Sequence, residues 1–171
     1  ALAAGTGRYQ GGGSSVVNAH APMGFTGAMA QRGWAYINYA PGYRTEHTRP
    51  DAELEEQAVR YARTAQTVVY FMGLTDLYES EGFDRTHMRL PENQTHLLEK
   101  LAEANPNLVV VLAGGSPMEV PWLDQVCAVL YTVLGGEGLG EATYRLLFGE
   151  ACPSGKLSET WPLRLEDNPS A

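Results

Sequence analysis

The chain has 171 residues and a formal net charge of −8 at pH 7. Such an acidic excess argues against nucleic acid and anionic membrane surfaces as partners, since both require basic patches. The hydrophobic fraction of 44% is normal for a globular protein, and the length suits one domain with a sizeable core.

The first half of the chain alternates between helical and strand patterns. A short helix is predicted over 22–31, and the alternating apolar residues of 34–40 predict a strand. The clearest helix spans 51–65, where Asp51 can cap the first turn and alanines recur at helical spacing. The β-branched and aromatic run over 67–74 predicts the next strand.

The second half continues the alternation. A helix is predicted over 91–105, and the continuous apolar runs over 108–113 and 127–134 suit strands that are buried on both faces. A helix over 139–148 and an edge strand over 156–161 complete the series. Strands that alternate with helices are typical of parallel βαβ units. The predicted fold class is therefore α/β, a three-layer α/β/α sandwich with a mostly parallel sheet.

A charged stretch, Glu79-Ser80-Glu81-Gly82-Phe83-Asp84-Arg85, follows the strand predicted over 67–74. The stretch should lie beyond the C-terminal end of that strand, where open α/β sheets bind ligands. Glu81 has two small neighbours that leave room for a ligand, which suits a proton donor. A solvated acidic loop is the alternative that these residues leave open. Asp84 and Arg85 are expected to hold the loop together by charge-assisted hydrogen bonds.

Several short motifs, in order along the chain, resemble one known family. They are Gly12-Gly13-Ser14-Ser15, Glu81-Gly82-Phe83-Asp84-Arg85 followed by Leu90-Pro91 and Gln94, Gly115-Ser116-Pro117, Pro121-Trp122, Gly135-Gly136-Glu137, and Pro153-Ser154-Gly155-Lys156-Leu157. Each is weak alone. Their order and spacing, from about Arg8 to Pro169, resemble the C-terminal α/β sandwich domain of glycoside hydrolase family 3 enzymes, the β-glucosidase group.

The resemblance implies roles for individual residues. Glu81 occupies the place of the family's general acid/base, and Ser14 falls where this domain can contact a sugar hydroxyl. Glu79 is the second predicted substrate-binding residue, and its charge should raise the pKa of Glu81 if the two carboxylates lie close together. For Ser14, the alternative is a local role in which its side chain satisfies backbone groups of the loop.

The resemblance also implies a second domain. In the family, the nucleophile is an aspartate on a preceding (β/α)-barrel domain, and a barrel of ~250 residues exceeds this chain. We therefore expect residues 1–171 to form a single sandwich domain with about six strands, the first of them truncated. The isolated chain is expected to be inactive. The expected partners are the barrel domain and a β-linked glucoside or oligosaccharide.

A non-catalytic α/β carbohydrate-binding or interaction module is the alternative function. No cofactor or metal is expected, because no Cys/His spacing suggests zinc and the glycines at 11–13 match neither common nucleotide-binding pattern. No apolar run reaches the ~20 residues of a membrane helix. The sequence leaves the compartment unknown. The lack of a signal peptide at residues 1–5 favours the cytoplasm.

Overall fold

The computed structural model describes residues 8–34 and 37–169, which form four α-helices, three β-strands and three short 3-10 helices. The main elements are α1 (Phe25–Gln31), α2 (Ala52–Thr64), β1 (Val68–Gly73), α3 (Glu92–Ala104), β2 (Leu108–Ala113), β3 (Ala128–Val133) and α4 (Leu139–Leu147). The 3-10 helices span Gly13–Ser15, Leu123–Gln125 and Leu165–Asp167. Each predicted helix is present, with ends that differ by a few residues. No helix in the described ranges is long and apolar enough to cross a bilayer.

The three strands form one parallel sheet in the order β1-β2-β3. Parallel neighbours need crossover connections, and α3 supplies the crossover from β1 to β2. The register is regular until an irregularity between Leu112 and Ala113 of β2, where Ala113 pairs with Val133. All three strands therefore end at the same edge of the sheet, and the loops that follow them meet there.

Helices cover both faces of the sheet, so the predicted three-layer α/β/α fold is confirmed. Alternate strand residues point to opposite faces. One core cluster joins strand residues to α2 and α3: Tyr70, Met72, Val110, Leu112, Ala62, Leu97 and Leu98. The other joins the intervening strand residues to α1 and α4: Phe25, Ala28, Met29, Phe71, Val111 and Tyr144.

The sheet has three strands within the described residues, fewer than the six or so that were expected. Residues 35 and 36 of the strand predicted over 34–40 lie outside the described ranges, and 37–40 pair with no strand. The segment 156–161 pairs with none either. It meets β3 through a side chain, since the Trp161 ring packs edge-on against Tyr131 with centroids 4.9 Å apart. The truncated first strand was expected ahead of the glycine-rich loop, and residues 1–7 lie outside the described ranges.

A buried glutamine joins α3 to the end of β1. The backbone N–H of Gly73 donates to Oε1 of Gln94 at 2.7 Å, and Nε2 of Gln94 donates to the carbonyl of Gly73 at 2.9 Å. The Tyr70 hydroxyl donates to the backbone carbonyl of Gln94 at 3.0 Å. The side-chain amide thus satisfies both backbone groups of the last residue in β1, directly before the loop that carries the charged stretch.

We predict that Gln94→Leu destabilises the domain. The leucine fills similar space but leaves two buried backbone groups of Gly73 without partners, at a cost of about 2–4 kcal/mol in the free energy of unfolding. Urea denaturation of the chain measures this cost. Glu99→Leu, at an exposed position of the same helix, is the matched control and should change stability by less than about 0.5 kcal/mol. Equal effects of the two substitutions would contradict the role given to the amide.

Candidate active site

Four loops meet at the C-terminal edge of the sheet. They are the glycine-rich loop (8–15) and the loops that follow β1 (74–85), β2 (114–117) and β3 (134–137). Backbone and side-chain hydrogen bonds join them, as when Gly136 N–H donates to the carbonyl of Tyr9 at 2.8 Å. All three residues that the sequence predicts for the site, Ser14, Glu79 and Glu81, lie in these loops.

Ser14 holds the carboxylate of Glu81. The backbone N–H of Ser14 donates to Oε2 of Glu81 at 2.6 Å, and its hydroxyl donates to Oε1 at 3.0 Å. Gly13 makes this approach possible, because it has a left-handed backbone (φ 78°) and a Cβ at that position would overlap the Glu81 side chain. The two contacting residues are exposed, so this carboxylate stands at the rim of the domain.

These hydrogen bonds lower the pKa of Glu81. The backbone N–H of Ser14 is the largest cause and its hydroxyl is the second, since both stabilise the ionised form. The sequence predicted a raised pKa on the condition that the carboxylates of Glu79 and Glu81 lie close together. Glu79 is not among the causes of the shift, because its carboxylate makes its contacts elsewhere.

Glu79 ties three loops together. Its carboxylate accepts hydrogen bonds from Gly115 N–H at 3.0 Å and from the Ser116 hydroxyl at 2.8 Å. It also pairs with Nη1 of Arg8 at 3.0 Å. The predicted contact of Glu79 with substrate stays a prediction. Both carboxylate oxygens already have partners inside the domain.

Arg8 joins the loops of the candidate site, a role that its place in the sequence did not predict. Its side chain is 7% exposed, and it donates to the carbonyls of Leu74 and Glu79, each at 2.7 Å. A guanidinium has five donors in a fixed planar array, which suits it to several backbone carbonyls at once. The signal in the sequence is a single cation three residues before a run of glycines.

Arg85 supports the acidic loop through charge-assisted hydrogen bonds, whereas Asp84 makes none among the described contacts. Arg85 donates from Nη2 to the Ser116 hydroxyl at 3.0 Å and to the carbonyl of Pro117 at 2.8 Å. No ion pair joins Arg85 to Asp84 within the described ranges. Neighbours in an extended chain point to opposite sides, and Arg85 turns towards the loop after β2. Burial lowers its pKa.

A cleft of about 550 Å³ opens beside the glycine-rich loop. Its lining includes Arg8, Gly12, Thr45, Thr75 and Asp76, but neither Ser14 nor Glu81. Within residues 8–34 and 37–169, no three His, Cys, Asp or Glu side chains gather closely enough to hold a metal ion.

We predict that Arg8→Met strongly destabilises the chain. Removing the guanidinium leaves a partly buried carboxylate and two carbonyls without their donor, which should cost about 3–5 kcal/mol in the free energy of unfolding. Arg44→Met is the matched control, because it breaks the more exposed Arg44–Asp51 pair (3.0 Å) and should cost at most about 1 kcal/mol. Denaturant titrations of both variants measure the difference. A small cost for Arg8→Met would show that the loops hold together without it.

Comparison with known proteins identifies the family. The model of the glycosyl hydrolase family 3 C-terminal domain matches residues 2–171. Thermostable beta-glucosidase B of Acetivibrio thermocellus is 48% identical over 165 residues, which cover 95% of this chain and 22% of that protein. An exo-alpha-(1->6)-L-arabinopyranosidase of Bifidobacterium longum is 42% identical over 166 residues, covering 96% of this chain and 22% of that protein.

Solved structures agree with this match. The crystal structure of a GH3 beta-glucosidase from Bifidobacterium adolescentis superposes with a TM-score of 0.91 at 39% identity, covering 96% of this chain and 24% of that one. The crystal structure of a beta-glucosidase from Kluyveromyces marxianus in complex with glucose superposes with a TM-score of 0.67 at 39% identity. The match covers 70% of this chain and 14% of that one. The chain thus spans about a fifth of the length of the curated relatives named above. It belongs to the glycosyl hydrolase family 3 C-terminal domain family.

Proposed function

We propose that this domain supplies the general acid/base, Glu81, to a retaining β-glycosidase that cleaves β-linked glucosides. The nucleophile is an aspartate on a (β/α)-barrel domain outside this chain. The observation that carries the proposal is the placement of Glu81. It lies on an exposed loop at the C-terminal edge of the sheet, and its carboxylate is held in one orientation by Ser14.

The reaction needs two carboxyl groups on opposite sides of the scissile bond. In retaining enzymes they stand ~5–5.5 Å apart, one as nucleophile and the other as proton donor. Glu81 protonates the glycosidic oxygen as the barrel aspartate attacks the anomeric carbon. It then takes a proton from the water that hydrolyses the glycosyl-enzyme intermediate. An exposed carboxylate suits a site that is shared between two domains, because the second domain can cover it and supply the nucleophile.

The lowered pKa of Glu81 fits the second half of this reaction, in which the residue acts as a base. As a proton donor it needs a pKa closer to the operating pH. Burial against the barrel domain supplies a shift in that direction, since loss of solvent disfavours the ionised form. We therefore expect the pKa of Glu81 to reach the value needed for proton donation only in the complete enzyme, where the barrel domain covers it.

A non-catalytic carbohydrate-binding or interaction module is the second candidate. The observation that favours it is the state of Glu81 in this chain, which is exposed and has a lowered pKa because Ser14 donates to its carboxylate. Such a carboxylate suits hydrogen bonding to sugar hydroxyls without chemistry. The relatives, by their names, hydrolyse glycosides, and we favour the catalytic role.

The test of the proposal is Glu81→Ala in an enzyme that joins this domain to its barrel. Without the proton donor, activity on a glucoside with a poor leaving group should fall by ~10²–10⁴. An activated aryl glucoside should suffer less, and added azide should restore its turnover as the glycosyl azide. Glu137→Ala is the control, because that carboxylate accepts only from the backbone N–H groups of His20 and Ala21 among the described contacts. Full activity of Glu81→Ala on cellobiose would refute the role.

We also expect the 171-residue chain alone to be inactive. A retaining glycosidase needs its nucleophile, and this proposal places the nucleophile on another domain. The measurement is hydrolysis of an activated aryl β-glucoside by the purified chain, compared with the same chain carrying Glu81→Ala. Turnover that disappears with Glu81→Ala would place a complete active site within these residues and overturn the two-domain arrangement.

A further inference from the structure

We infer that Ser14 is a positioning residue for Glu81. Its backbone N–H keeps one carboxyl oxygen of Glu81 as an acceptor. Its hydroxyl donates to the other oxygen when that oxygen has lost its proton and accepts from it when the proton is present. This inference rests on the proposed acid/base role of Glu81. It gives Ser14 a part in the reaction that differs from the sugar contact predicted by the family resemblance.

The two donors of Ser14 differ in what they permit. The backbone N–H, 2.6 Å from Oε2, can only donate, so it keeps Oε2 as an acceptor in every protonation state. The hydroxyl, 3.0 Å from Oε1, can donate to a carboxylate or accept from a carboxylic acid, because its hydrogen rotates. The transferable proton of Glu81 therefore belongs on Oε1, beside the partner that can serve both forms.

The glycine-rich loop is shaped to deliver these donors. A Cβ at Gly13 would overlap Glu81, and a Cβ at Gly12 would come within 3.1 Å of the Ser80 hydroxyl oxygen. At Gly13, only a residue without a side chain lets the two loops approach so closely. The loop is anchored at its start, where Arg8 donates to Leu74 and Glu79. The position of Ser14 relative to Glu81 is thus built into the fold.

The hydroxyl of Ser14 reverses its direction during the proposed reaction. In the first step the glycosidic C–O bond breaks, the leaving oxygen takes the proton from Oε1, and the barrel aspartate bonds to the anomeric carbon. Glu81 is then a carboxylate, and the hydroxyl turns to donate to it. In the second step water adds to the anomeric carbon, its proton goes to Oε1, and the aspartate is released. Glu81 is then an acid again, and the hydroxyl turns back to accept its proton's hydrogen bond until a new glycosidic oxygen takes that place.

The sugar-contact role and the positioning role make different kinetic predictions. A lost sugar contact weakens binding and raises KM without changing the titration of Glu81. A lost positioning contact lowers kcat and changes the pH at which Glu81 gives up its proton. Because the hydroxyl stabilises the ionised form, its removal raises the pKa of Glu81. The rate falls when the acid is deprotonated, so the basic limb of the pH profile should move to higher pH.

The experiment compares Ser14→Ala, Ser14→Thr and Ser15→Ala in the enzyme that joins this domain to its barrel. We expect Ser14→Ala to lower kcat/KM on a glucoside with a poor leaving group by roughly 10-fold, a part of the ~10²–10⁴ that a general acid contributes. The loss should be smaller on an activated aryl glucoside. Ser14→Thr, which keeps a hydroxyl, should restore most of the activity and the original pH profile.

Ser15→Ala is the matched control, because the Ser15 hydroxyl donates to the carbonyl of Gly12 at 3.1 Å and does not contact Glu81. It should leave kcat, KM and the pH profile unchanged. Melting temperatures of the variants separate local effects from unfolding. If Ser14→Ala raises KM alone, or leaves the basic limb in place, the positioning role is wrong.

Failure of this inference can be told from failure of the proposed function. If Glu81→Ala loses activity selectively on poor leaving groups while Ser14→Ala behaves like Ser15→Ala, only the role of Ser14 is overturned. If Glu81→Ala shows no dependence on the leaving group, the acid/base assignment falls and the role of Ser14 falls with it.

Discussion

The guanidinium of Arg8 holds the candidate site together. It reaches from the glycine-rich loop to the carbonyls of Leu74 and Glu79 and to the carboxylate of Glu79, and almost none of it is exposed. A buried cation is stable only when carbonyls and carboxylates replace its lost water. The loops that carry Ser14 and Glu81 are therefore fixed to each other by a charge that the fold must keep satisfied.

Glu79 extends this junction to the loop after β2. Its contacts with Gly115 and Ser116 bring that loop against the acidic stretch, and Arg85 adds a second link through the Ser116 hydroxyl and the carbonyl of Pro117. Glu79 and Glu81, which are two residues apart, thus have different roles. The carboxylate of Glu79 faces the interior and joins loops, whereas that of Glu81 stays at the rim, where a second domain and a substrate can reach it.

The parallel sheet explains why these loops meet. Strands that run in one direction end at one edge, and the crossover through α3 returns the chain to start the next strand. Gln94 secures this geometry by pairing its side-chain amide with both backbone groups of Gly73, the last residue of β1. The position of α3 therefore helps to fix the end of β1, where the acidic loop begins.

The sequence by itself determined the fold class, the helices, the three strands of the sheet and the loop on which Glu81 lies. These follow from hydrophobic periodicity and short motifs, which are properties of neighbouring residues. It did not determine the strand count, because 156–161 has a strand-like pattern but no backbone partner. Only the tertiary structure decided what Glu81 contacts and in which direction its pKa moves. Ser14 lies 67 residues away, and its donors reach Glu81 only because Gly13 adopts a left-handed backbone without a side chain.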